Sequence, residues 1–271
     1  MALAKTVRYF FLPALGLILQ GAGEHSELKP CAPFASSGRR LNTDTVDVLP
    51  LGEWTDKLQT LFNQTKKLAR VPIRFTLQTG PDFGYVSRTD EGYVIGIRPD
   101  LDNEDQESDI AHELYHINLQ AQGFSAQIHT PTEASPLLMD LGYMITSCVD
   151  DAIVDERTSV LGFNPERLNR KRFEQFQPPT NILVRLKDPA YADGTALVIA
   201  CDSFRLGNRN ALLERWALIS KDVADRAERL RGRIGDVKCD SAQSCNEKKK
   251  RIRDMLGYPI QICNPLVGRW E

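Results

Sequence analysis

The chain of 271 residues is poor in histidine, has no appreciable net charge, and contains neither a CxxC pair nor an internal repeat. Each of these features narrows the field. Thirty-four Lys+Arg against 36 Asp+Glu leave −2, so no overall positive field draws the protein to nucleic acid or anionic lipid, and neither is expected as a partner. The lack of CxxC argues against a structural zinc ribbon. No stretch reaches the roughly eighteen uninterrupted apolar residues of a membrane-spanning helix. The composition is ordinary for a globular chain, 42% hydrophobic and 26% charged with 18 Gly and 15 Pro. That excludes a disordered or collagen-like polymer. Only four histidines remain to be placed, and two of them carry the functional reading.

Residues 1–8 include Lys5 and Arg8 and no acid, and they are followed by the apolar run Tyr9–Leu19 and the small residues Gly21, Ala22 and Gly23. A basic start, a short apolar centre and a small-residue cleavage site predict a secretory signal peptide over residues 1–23. The mature chain is then expected to be secreted or periplasmic, with no stable insertion in a membrane. Cys31, Cys148, Cys201, Cys239, Cys245 and Cys263 are an even set. In an exported chain they permit disulfides whose pairing the sequence leaves open. Cys239, Cys245 and Cys263 cluster where a bridge could pin the last segment.

Residues 24–52 hold Pro30, Pro33, Ser36, Ser37 and Gly38 with little periodicity, and read as an extended lead-in. Trp54, Leu58, Leu61, Phe62 and Leu68 then recur at helical spacing over 53–70. Three short β-branched and aromatic runs follow, at 73–77, 85–87 and 93–97, the last two joined by the turn residues Thr89-Asp-Glu-Gly92. From Asp102 onward the pattern is helical, with a long helix over 133–161 stopped by Gly162 and further helices around 165–177, 209–232 and 242–256. The expected fold class is α+β, a small antiparallel sheet followed by a mainly helical part. Two basic runs, 167–172 and 248–253, lie on expected helices with acids nearby and read as solvated faces. Leu212, Leu213, Trp216 and Ile219 have the spacing of a helix core.

His112-Glu-Leu-Tyr-His116 is the informative motif. Two histidines four apart on a helix lie on one face, one turn apart, so both imidazoles can reach one metal ion. Glu113 projects beside them and can take a proton from a water held there. Ile110, Leu114 and Ile117 supply an apolar stripe for that helix, and Gly123 offers a stop.

A catalytic zinc site needs a third protein ligand and an open position. The HxxGxxH extension is excluded, since Leu119 and Gln122 stand where glycine and a third histidine would be. A GTxD arrangement fails as well, because Gly194-Thr195 is followed by Ala196 and Leu197. A carboxylate on a second helix remains, and Asp151 and Asp155 share one helical face. One of them can bind the metal while the other accepts a ligand histidine's free ring N–H. Asp150 is rotated by about 100° from Asp151 and points elsewhere.

HExxH followed some tens of residues later by a helical acid-x-x-x-Asp resembles the gluzincin (thermolysin-like) zinc metallopeptidases. The similarity extends over roughly residues 70–162. It implies one Zn2+ held by His112, His116 and Asp151, Asp155 bonded to the first histidine, and Glu113 as general base in peptide-bond hydrolysis. It also implies an antiparallel sheet whose edge strand binds extended peptide, with Tyr93–Ile97 in the right place for that strand. Asp150 sits where many members have Asn. Two departures stand out. Asp replaces the usual Glu ligand, so its helix must approach by about one methylene more. The last histidine is His129, which reads as a loop residue, so an oxyanion stabiliser would have to be Tyr191, Tyr258, Arg157 or Arg205.

The expected organisation is a signal peptide over 1–23, a lead-in over 24–52 and a zinc metallopeptidase-like domain over 53–271. The expected activity is zinc-dependent hydrolysis of a peptide or protein substrate. The competing reading is a non-catalytic zinc-binding protein that keeps the peptidase scaffold and holds a partner in the cleft.

Overall fold

A computed structural model describes residues 54–77, 84–89, 91–124, 128–129, 136–175, 181–205, 209–235, 239–264 and 269–270. The segments expected to be a signal peptide and a lead-in, with His25 and Cys31, lie outside them. Helix α1 (Asp56–Ala69) buries Leu58 and Leu61 of the expected stripe, with Thr65 beside them and Leu68 exposed, and ends at Arg70 in the left-handed conformation (φ 56°). Strands β1 (Ile73–Leu77), β2 (Tyr85–Thr89) and β3 (Gly92–Ile97) follow. Helix α2 (Asn103–Ala121) carries HExxH, and the short β4 (Ile128–His129) leads to the long α3 (Pro136–Val160). Then come α4 (Pro165–Gln175), α5 (Ile182–Arg185), α6 (Pro189–Arg205), α7 (Arg209–Ile219), α8 (Lys221–Ile234) and α9 (Ala242–Leu256). Strands β5 (Gln261–Asn264) and β6 (Arg269–Trp270) close the chain. The fold is α+β, as expected.

The first sheet is mixed, which corrects the expectation of an antiparallel one. Its order is β1-β3-β2: β3 pairs antiparallel with β2 through the hairpin but parallel with β1, Ile73 opposite Tyr93 and Leu77 opposite Ile97. The chain leaves β1 and enters β2 on the far side of β3, so the last strand to form the hairpin takes the middle place. Tyr93–Ile97 is therefore central, and the edges are β1 and β2. Every residue of β3 is buried, the pattern of a strand covered on both faces. Gly92 makes the hairpin possible: its φ is 146°, and a Cβ there would stand 2.2 Å from the Pro72 carbonyl oxygen.

Three further differences have local causes. The helix expected over 209–232 is two, because Ser220 leaves helical geometry and its side chain accepts the Val223 N–H as an N-cap. A second small sheet joins β4, β5 and β6. Strands of two to four residues are too short to show an alternating period. His129 thus lies in a strand, opposite Gln261, and not in a loop.

Two apolar cores meet at α2. One gathers Leu58, Leu61, Phe75, Ile95, Ile97, Ile110, Leu114 and Ile117 from α1, the sheet and one side of α2. The other fills the helical part, with Leu141, Ile145, Val149, Leu197, Leu212 and Trp216 among its members, and Tyr115 packs against both. The side of α2 turned from the sheet faces α3. A disulfide, Cys148–Cys201, ties α3 to α6, and Cys239–Cys245 closes the start of α9. Cys263 is disulfide-bonded too.

Each basic run has members engaged internally, which corrects the solvated-face reading for those residues, while Arg170 and Arg251 are exposed. Arg167 and Lys171 of α4 grip Asp102, the N-cap of α2, and the buried Asp105; Arg167 also pairs with Glu104. Lys249, 0% exposed, sits 2.6 Å from Asp150 Oδ1 and donates to the Phe124 carbonyl at 2.6 Å. This ion pair anchors α9 to α3 and to the end of the HExxH helix. Lys249→Met strands a buried carboxylate, and should cost about 3–5 kcal/mol in denaturant unfolding. Adding Asp150→Asn should recover most of that loss. A single variant as stable as wild type would refute the pair's role.

Candidate metal centre

His112, Glu113 and His116 lie in the middle of α2, whose start is fixed by the Asp102 cap. Opposite them α3 presents Asp151 and Asp155. His112 Nε2 and His116 Nε2 are 3.1 Å apart, and Asp151 Oδ1 lies 3.3 Å from His116 Nε2. These three residues form the group of donor atoms, all within 4.8 Å of one another, that could hold a metal ion. His112 Nδ1 lies against Asp155 Oδ1 at 3.2 Å. A carboxylate there keeps the ring proton on Nδ1 and leaves Nε2 free as a donor. Asp150 belongs to another face, committed to Lys249.

The electrostatics follow from burial and pairing. Burial pushes His112 down to about 4 against the opposing contact with Asp155, so the ring is neutral at physiological pH. Burial acts on His116 in the same direction, but the hydrogen bond and charge of Asp151 prevail and push it up to about 9. Two histidines one turn apart therefore differ by what stands behind them. Burial disfavours the ionised forms of Asp151 and Asp155, yet Arg205 and the histidines hold both carboxyls well below the usual range. The site thus presents two carboxylates, each shared between Arg205 and a histidine.

Glu113 is 5% exposed. Burial, with the nearby Asp109 adding to it and His116 opposing, pushes its carboxyl up to about 7. Asp109, one helical turn before it, is buried; its Oδ2 accepts the Gly84 N–H at 2.8 Å and its Oδ1 lies 3.1 Å from Arg172. The start of edge strand β2 is thereby fastened to α2 beside Glu113. Gly84 is required for the approach, since a Cβ would fall 2.5 Å from Asp109 Oδ2.

Of the four residues expected to compete as oxyanion stabiliser, only Arg205 reaches the centre. It is engaged there with Asp151, Asp155 and Asp202 at 2.9, 2.7 and 3.2 Å. The Tyr258 hydroxyl donates to Asp193, Tyr191 is buried beneath the Arg185 guanidinium, and Arg157 bonds Gln122. Sequence reasoning missed Asp109, Asn169, Arg172 and Asp202. Only Asp109, four residues before Glu113 on the same helix, had a readable signal in its spacing.

The fit to a metal can be tested on these distances. Ligands about 2.0–2.1 Å from a tetrahedral zinc stand roughly 3.3 Å from one another; two of the three separations are 3.1 and 3.3 Å, and the His112–Asp151 pair lies within 4.8 Å. Two imidazole nitrogens and one carboxylate oxygen are also the donor types zinc takes in catalytic sites.

The candidate donor group and a family match over part of the chain suggest a metallopeptidase-like fold. Residues 69–136 match the sequence profile of the IrrE N-terminal-like domain, a zinc-metallopeptidase-like family of the peptidases. The matched segment spans β1 to the start of α3 and includes HExxH; Asp151, Asp155 and Arg205 lie beyond it. No curated protein and no solved structure matches the chain significantly.

Proposed function

We propose that the protein is a zinc-dependent metallopeptidase of gluzincin type, with His112, His116 and Asp151 as ligands, Asp155 orienting His112, and Glu113 as general base. The observation that supports it most is the convergence of one donor atom each from His112, His116 and Asp151 within 4.8 Å, next to the buried carboxyl of Glu113. Zinc held by these residues would supply a Lewis acid that lowers the pKa of water towards about 7 and polarises the scissile carbonyl. Glu113 accepts the proton of the attacking water and returns it to the leaving amine nitrogen. Asp155 holds the His112 ring in the tautomer and orientation that ligation needs. The substrate is a peptide or protein.

Export is part of the same reading. It is supported by the leader-like segment 1–23 and by the Cys148–Cys201 and Cys239–Cys245 disulfides, which persist in oxidising compartments. No helix among the described residues is long and apolar enough to cross a membrane.

The test is metal content together with turnover. The purified protein should carry close to one zinc per chain and cleave quenched-fluorescence peptides. Chelation should stop cleavage and added zinc restore it. A chain that takes up no zinc refutes the proposal. The non-catalytic reading draws support from Arg205, whose Nε and NH1 are already committed to carboxylates; zinc uptake without any turnover would establish it.

A further inference from the structure

Arg205 is the buried cation that the proposed chemistry leaves without a task. Its side chain is 10% exposed and its guanidinium reaches α3 from the last residue of α6. Nε donates to Asp155 Oδ2 at 2.7 Å and NH1 to Asp151 Oδ2 at 2.9 Å. The other oxygen of each carboxylate is turned to a histidine: Asp155 Oδ1 to His112 at 3.2 Å and Asp151 Oδ1 to His116 at 3.3 Å. One planar cation thus takes the outer oxygens of both aspartates, and the two histidines take the inner ones.

We propose that Arg205 is a positioning residue that withholds Asp151 Oδ2 from the metal, so that Asp151 ligates through Oδ1 alone and a coordination place stays open. The inference rests on the reading of the site as a zinc centre. A free carboxylate can ligate through one oxygen or both, and a catalytic site has to keep a place for water. An oxygen already accepting a charge-assisted hydrogen bond from a fixed guanidinium is a poor second ligand.

The guanidinium is itself fixed. NH1 also contacts Asp202 Oδ1 at 3.2 Å, and NH2 contacts Asn169 Oδ1 at 3.4 Å. Asn169 donates in turn to Asp155 Oδ2 at 2.9 Å. The Cys148–Cys201 disulfide joins α3 and α6 one turn before Asp151 and Arg205, which limits sliding of one helix against the other. A lysine cannot replace this arrangement, because a single ammonium cannot present two fixed N–H directions to two separate oxygens.

Cobalt substitution of the full chain reads coordination directly. Four-coordinate Co2+ absorbs strongly in the visible, whereas five- and six-coordinate ions absorb weakly. Wild type should show the strong bands. Arg205→Lys keeps the positive charge and the fold, yet should show clearly weakened bands and bind metal roughly 10- to 100-fold less tightly. Arg205→Met should behave likewise if it folds. Circular dichroism of the same samples checks folding. An Arg205→Lys protein with the wild-type cobalt spectrum overturns this inference and leaves the zinc centre standing. A wild-type chain that takes up no cobalt overturns both.

Discussion

Glu113→Gln should lower peptide hydrolysis by a factor of roughly 10² or more while leaving zinc content nearly unchanged. Glutamine keeps the length and shape of the side chain but cannot accept the proton of the attacking water. The candidate donor atoms belong to His112, His116 and Asp151, so the substitution leaves the proposed ligands in place. The site is built to make this carboxyl effective. Burial and the adjacent Asp109 bring Glu113 up to about 7, near the pH at which a base is both ionised and able to release its proton again. Hydrolysis rates and zinc content measured on one preparation decide the matter. A variant that cleaves as fast as wild type would show that Glu113 is not the base.

The second large effect separates neighbouring aspartates. Asp151→Ala should lose most of its metal, because it removes one of the three proposed ligands and leaves Arg205 facing a gap. Asp150→Asn should keep it. Asp150 lies on the face of α3 that meets Lys249, so its loss is expected in stability and not in metal affinity. Asp155→Ala should bind zinc roughly 10- to 100-fold more weakly, since the His112 ring loses the carboxylate behind it. Zinc titrations of the three purified variants test the assignment. Full occupancy in Asp151→Ala beside an empty Asp150→Asn would place the ligand on the wrong face of the helix.

Helical periodicity carried much of this geometry before any coordinates. His112 and His116 share a face because they are four apart, and the same spacing joins Asp151 to Asp155 and turns Asp150 away. The helical stripes of α1 and α2 and the stop at Gly162, with φ 84°, were legible for the same reason. These are relations within one helix, where a single repeat dictates direction. The order of the sheet was not of this kind. Nothing in 73–97 distinguishes a meander from β1-β3-β2, because strand pairing depends on where the connecting chain crosses.

The sequence by itself determined the α+β class, the HExxH helix and the faces on which the candidate ligands lie. Tertiary structure alone decided what stands behind them. Arg205 reaches Asp151 and Asp155 across 54 and 50 residues, Lys249 folds back onto Asp150, and Arg172 meets Asp109 across 63 residues. On sequence Lys249 and Arg172 read as parts of solvated faces, and Arg205 stood only among four candidate oxyanion stabilisers. Their partners come from other helices, so no local period records the contact. Burial then turned surface-type residues into the fixed charges that set the protonation of the centre.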